Sequence, residues 1–162
     1  MVRTRPLWLA AIATLVVLAC APECARAFNV YKVDKDCVAA GAYFTIQAAI
    51  NAAALATGTN YIWIANNHGY SETLDITNQD LIIEGGFTDC NDFDIGPNDR
   101  SSVSGIGGAS PVISVHGTSH IALSNLNLSD GTGDLEGGGV RFQGTGTLTI
   151  GATAVHGNRA SR

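Results

Sequence analysis

Ile113-Ser-Val-His-Gly-Thr-Ser-His-Ile121-Ala-Leu-Ser-Asn-Leu-Asn-Leu128 lies over Val140-Arg-Phe-Gln-Gly-Thr-Gly-Thr-Leu148-Thr-Ile-Gly-Ala-Thr-Ala-Val155 at a constant offset of 27, without a gap. Apolar residues meet apolar ones: Ile113 meets Val140, Val115 meets Phe142, Ile121 meets Leu148 and Leu123 meets Ile150. Gly117, which bends the first string, meets Gly144 in the second. A unit of this size cannot bury its apolar face alone, but a stacked copy covers it. In each string the apolar residues fall on alternate positions. Val115, Leu123, Phe142 and Ile150 are therefore expected to point inward, and Ser114, Ala122, Arg141 and Thr149 outward.

Working back from the repeat, the chain reads as further short strands. Tyr61-Ile-Trp-Ile64 is β-branched and aromatic, and Leu74-Asp-Ile76 and Leu81-Ile-Ile-Glu84 alternate around a turn at Asn78–Asp80. Gly85-Gly86 is expected to end that run. Ser102-Val103-Ser104 makes a minimal strand, and Phe28 to Val33 a first one. The Gly-rich stretch from Asp130 to Gly139 forms a polar loop between the repeat units. One helix interrupts the pattern, Phe44 to Ala54. There Ile46, Ala49, Ile50, Ala53 and Ala54 make a single apolar stripe, with Thr45 as N-cap and Gly58 as stop. A helix ahead of the first coils can cover the open end of a stack, which otherwise exposes core and strand edges. The expectation is thus an all-β solenoid with an N-terminal capping helix. Its parts are a leader at 1–27, a cap at 28–60 and incomplete coils at 61–162.

The leader has Arg3 and Arg5 before an apolar run from Leu7 to Ala19, then Ala25-Arg26-Ala27. That is the pattern of a secretory signal cut between Ala27 and Phe28. A spanning helix would need about 20 apolar residues. Val17-Leu18-Ala19-Cys20 resembles a bacterial lipoprotein box, with Cys20 acylated. Cleavage after Ala27 leaves Cys37 and Cys90, an even pair, whereas cleavage before Cys20 leaves Cys24 over. In an oxidising compartment Cys37 and Cys90 are expected to form a disulfide. Without the leader, six basic residues face thirteen acidic ones, so the net charge moves from −5 to −7. Nothing basic is clustered, which argues against nucleic acid as a partner.

Phe44-Thr-Ile-Gln-Ala-Ala-Ile, His68-Gly-Tyr-x-Glu72, Leu81-Ile-Ile-Glu-Gly-Gly-Phe-Thr-Asp-Cys90, Gly137-Gly-Gly-Val140 and Val155-His-Gly-Asn158-Arg-Ala160 occur in that order. Together they resemble exported bacterial proteins of the right-handed parallel β-helix, or pectin-lyase-like, superfamily. The last two are similar to the Gly-Gly-Ala-Ile and Phe-x-x-Asn repeats of polymorphic outer-membrane proteins and autotransporter passengers. Val155 stands where that family has Phe, and Gly139 where it has Ala. The resemblance covers residues 37–160. It implies a surface or extracellular scaffold or adhesin, the front part of a longer chain. Its partners would be host or cell-surface glycans or proteins. A membrane would be reached only through a missing C-terminal anchor or lipidation of Cys20. The same fold hosts polysaccharide lyases and hydrolases, so a carbohydrate-active enzyme is the alternative.

No catalytic or cofactor residue emerges from spacing. Asp130, Asp134, Glu136 and Arg141 lie in or beside one loop but form no dyad or triad pattern. The stretch from Asp89 to Asp99 offers the oxygens calcium prefers. Counted as an EF-hand from Asp89, however, it puts Phe93 at the fifth position and Arg100 at the twelfth. It reads as a solvated turn, and no metal is expected. His68, His116, His120 and His156 read as turn residues. Trp63 reads as packing on the cap helix or a neighbouring coil, and Asn125 and Asn127 as rungs of Asn ladders.

Overall fold

A computed structural model describes residues 28–89, 99–106, 110–133 and 137–160. The strands are β1 (Asn29–Val33), β2 (Asn60–Ala65), β3 (Gly69–Ser71), β4 (Leu74–Thr77), β5 (Asp80–Phe87) and β6 (Ser101–Ser104). They continue as β7 (Ile113–Ser124), β8 (Leu126–Ser129), β9 (Thr132–Gly133), β10 (Val140–Gly151), β11 (Ala154–His156) and β12 (Arg159–Ala160). A 3-10 turn at Val38–Ala40 and one helix, α1 (Ile46–Ala53), separate β1 from β2. The fold is all-β with parallel sheets.

Among the described residues every strand pairing is parallel, in three sheets. The largest runs β1-β2-β5-β7-β10, with β4 on the first half of β7; the second runs β11-β8-β6-β3; the third pairs β12 with β9. The offset of 27 in the quoted strings is the pairing register of β7 with β10, from Ile113↔Val140 to Ser124↔Gly151. The same 27 recurs in Leu128↔Val155 on the second sheet and Thr132↔Arg159 on the third. The backbone repeats with it. Positive φ recurs at Gly117 and Gly144, at Asn125 and Ala152, and at Asp130 and Gly157. Each pair is the same backbone bend repeated 27 residues later.

Because pairing is in register, like residues stack in rows across the strands. One row runs Tyr31–Ile62–Ile83–Leu123–Ile150. Another runs Tyr70–Val103–Leu128–Val155. The buried members of these rows join one continuous core, with Tyr31 packed against it. Each fully buried Ile or Leu in them contributes about 1.5–3 kcal/mol. Burial fades along each row. Leu123 is 1% exposed but Ile150 is 44%, and Leu128 is 0% but Val155 is 47%.

Several sequence expectations need correction. Gly85-Gly86 does not end β5; the strand runs through it to Phe87, and the register against β2 shifts there. Gly85 lies so close to the backbone at Asn125 that a Cβ would clash with its carbonyl oxygen, so glycine serves close approach, not termination. The helix is shorter than expected. Ala54 is its exposed C-cap, while Ile46, Ala49, Ile50 and Ala53 form the buried stripe. Of the eight repeat-core residues, Ile113, Val115, Ile121 and Leu123 are buried. Val140, Phe142 and Leu148 pack against the core half-buried, and Ile150 stays exposed although it continues an inward row. Ser114 is buried despite its outward position, because Asp75 and Arg141 flank it in the ladder. Ala27, Cys90, Asp134, Glu136 and the core of the acidic stretch lie outside the described residues.

Candidate functional site

The described surface offers three polar constellations, and the richest lies where the cap meets the strands. β1 ends at Val33 and leads into Asp34-Lys35-Asp36-Cys37, and the segment before β3 supplies His68. Asp34 is fully buried and accepts from the Asp36 backbone N–H at 2.9 Å. His68 Nε2 lies 3.0 Å from Asp36 Oδ2 and 4.0 Å from Asp34 Oδ1. One ligand atom from each of the three residues falls within 4.8 Å of the others. Lys35 turns away from this group: Nζ donates to Gly69 O at 2.6 Å and sits 4.9 Å from the Tyr70 ring centre. Cys37 is disulfide-bonded, so no free thiol stands beside the group; the other half of the bridge lies outside the described residues.

The motif His68-Gly-Tyr-x-Glu72 acquires a physical meaning here. Tyr70 is buried and its hydroxyl donates to Val33 O at 3.2 Å. Burial, and then the carboxylates of Asp34, Glu72 and Asp36, push its phenol well above the ordinary tyrosine value. Glu72 reaches the start of α1, where Oε1 accepts from Ile46 N at 2.9 Å and Oε2 from Gln47 N at 3.0 Å. Thr45 Oγ1 accepts from Ala48 N at 3.2 Å, as an N-cap should. Gln47 completes the joint. Its side-chain amide exchanges two hydrogen bonds with the Asp75 backbone, at 2.8 and 3.1 Å, as a pairing strand would. An edge of β4 is thereby covered.

The second constellation is a groove of about 330 Å³ between the end of α1 and the start of β5, lined by Asn60, Asn78, Gln79, Asp80, Thr118 and His120 among others. Gln79 Oε1 is sealed there without a hydrogen-bond partner. His120 Nδ1 pairs with Thr147 Oγ1 at 3.0 Å, and Thr118 Oγ1 with Thr145 Oγ1 at 3.0 Å, both across the 27-residue register. The third is an outward row on the largest sheet, Asp75–Ser114–Arg141, with His116 Nε2 4.0 Å from Asp75 Oδ2.

Of the loop charges, Asp130 and Arg141 are described, and they do not meet. Asp130 accepts from Ser104 Oγ at 3.0 Å and Ser129 Oγ at 2.8 Å. These bonds hold its carboxyl below the usual range, with smaller help from His156 and Arg159, and Arg141 plays no part. The expected Asn ladder also lies elsewhere. Asn29 Nδ2 donates to Asn60 Oδ1 at 3.0 Å, and Asn60 donates to Ala53 O and Gly58 O, closing the end of α1. Asn127 instead meets His156, at 2.6 Å. Trp63 packs on Phe87 of the neighbouring strand, ring centres 5.0 Å apart. Sequence reasoning missed His68 as a contact of Asp34 and Asp36, which lie more than thirty residues earlier. The one available signal was the clustering of His and Asp in two segments flanking the helix.

Comparison with family models, with curated proteins and with solved structures found no match. Among the described residues, no helix is long and apolar enough to cross a membrane.

Proposed function

We propose that the chain is an exported right-handed parallel β-helix, capped at its N-terminus, that serves as a cell-surface or extracellular scaffold of the adhesin or passenger type. The observation that carries this reading is the register of 27 held on all three sheets. A round of three strands followed by an equal round is what a solenoid requires. The leader pattern argues for export, and the disulfide at Cys37 suits an oxidising compartment. Ladders of hydroxyls, imidazoles and amides along the outer faces give a polar surface, and the groove at Gln79, Asp80 and His120 has the mixed donors and acceptors that suit a hydroxyl-rich ligand.

A second reading is a polysaccharide lyase or hydrolase. It rests on the outward row that puts Asp75, His116 and Arg141 on one face. One preparation tests both. The chain, expressed with its leader in a Gram-negative host, should leave the cytoplasm and begin at Phe28 when its N-terminus is sequenced. Retention in the cytoplasm with an intact leader refutes export. Incubated with polygalacturonate and calcium, the protein should yield no unsaturated product absorbing in the ultraviolet; such product overturns the scaffold reading in favour of the enzyme.

A further inference from the structure

We propose that Asp34, Asp36 and His68 bind a divalent cation of the zinc class at the junction of the cap with the strands. This goes beyond the scaffold reading and does not depend on it. Two carboxylates and an imidazole are a donor set that borderline divalent ions accept, at about 2.0–2.2 Å per ligand. Donors around one such ion stand roughly 3–4.4 Å apart, by the same bond lengths. His68 Nε2 already lies 3.0 Å from one carboxylate oxygen and 4.0 Å from the other, and all three donor atoms lie within 4.8 Å. Small side-chain rotations bring them onto a common centre.

A second observation concerns the imidazole itself. The His68 side chain is 29% exposed but its Nε2 faces inward, 3.0 Å from Asp36 Oδ2 as an ion pair and without a hydrogen bond of acceptable geometry. A proton shared between the two groups would favour an aligned bond. An ion between them needs no such alignment, only lone pairs converging on one point. The Asp34 side chain is 1% exposed, and the Asp36 backbone N–H donates to its Oδ1 at 2.9 Å, which fixes the carboxylate beside the imidazole. The bridged Cys37 removes thiolate as a competing ligand. Asp36 is 70% exposed in its side chain, so an ion has a path of entry, and water can fill the remaining coordination positions.

The test uses the full processed chain, freed of metal by a chelator and dialysed against zinc chloride. One zinc per chain should bind, and the melting temperature should rise with zinc and fall back on chelation. Asp36→Asn, at an exposed position, should fold normally and bind zinc at least about tenfold more weakly, since even outer partners of a metal ligand are worth 10–100-fold. His68→Gln should do the same. His116→Ala, which removes an imidazole near Asp75, should bind as the parent does. The proposal is overturned if the parent chain binds no zinc, if Asp36→Asn and His68→Gln bind as well as the parent, or if the zinc is lost with His116→Ala instead.

Discussion

Replacing Glu72 should unfasten the helix from the rest of the protein. Helix α1 has eight residues, too few to persist alone in water. Its first N–H groups have no partners within the helix and need acceptors from outside. Thr45 serves Ala48, and Glu72 serves Ile46 and Gln47. Hydrogen bonds to a charged acceptor contribute about 1.5 kcal/mol or more each, and a carboxylate at a helix N-terminus gains a further few tenths from the dipole. Ile46 is completely buried, so with Glu72 in place its N–H has this carboxylate as its acceptor rather than water. We therefore expect Glu72→Ala to cost about 3 kcal/mol, and Glu72→Gln about half that, because its carboxamide keeps one acceptor oxygen. Urea unfolding followed by far-ultraviolet circular dichroism measures both, with the slope checked for constancy. A Glu72→Ala cost below about 0.5 kcal/mol, or a Glu72→Gln chain as stable as the parent, would mean the contact is incidental to stability.

Ser101 is buried and bridges two rounds of chain, donating to Ile64 O at 2.7 Å and accepting from Gly86 N at 2.9 Å. Ser101→Ala should lower stability by about 1–3 kcal/mol in the same urea assay, as it strands two buried backbone groups. Gly138→Ala should be strongly destabilising, because its Cβ would stand 2.3 Å from Arg159 O and 2.5 Å from Gly131 O. Gly151→Ala, with open space around its Cβ, should change the melting temperature little. Asp130 has its carboxyl held low by Ser129 and Ser104, so it adds stability above the unfolded carboxylate pKa of about 4, lost as pH falls through the lower folded value. Asp130→Asn tolerates the same left-handed backbone, φ +58°. It should be less stable than the parent at pH 6 and equal to it once both are titrated near pH 2, as thermal unfolding across that range will show.

The repeat was legible because parallel pairing in register makes sequence offset and spatial neighbour the same thing. Ile121 and Leu148 are adjacent in space for the reason that they align on paper. Thr45 and the stripe Ile46, Ala49, Ile50 and Ala53 were legible because helix caps and faces are local. What could not be read is what pairs at unequal offsets. β3 joins β6 at an offset of 33 and β5 joins β7 at 40, so no constant period reveals Tyr70↔Val103 or Leu81↔Ile121. Glu72 reaches α1 from 26 residues away and His68 reaches Asp34 from farther still. Gly85-Gly86 looked like punctuation because glycine breaks isolated strands. Between paired strands it equally marks the place where a neighbouring segment passes too close for a side chain.

That double meaning of glycine explains why Gly137-Gly-Gly-Val140 and Val155-His-Gly-Asn158 belong together. Asn158 stitches its round to the one before: Oδ1 accepts from Gly131 N at 2.8 Å and Nδ2 donates to Leu128 O at 3.0 Å. To do so its side chain occupies the space beside Gly139, where a Cβ would meet Nδ2 at 3.0 Å and the Val155 methyl at 2.5 Å. Gly138, one residue earlier, lies against the backbone of Arg159 and Gly131. The glycines and the asparagine are therefore two halves of one contact, although the residues between them are fewer than the 27 of the pairing register. Val155 crowds the same spot, so a larger residue there would press harder on position 139. The motif pair is thus a packing constraint on the spacing between rounds, and it carries no information about what the outer faces bind.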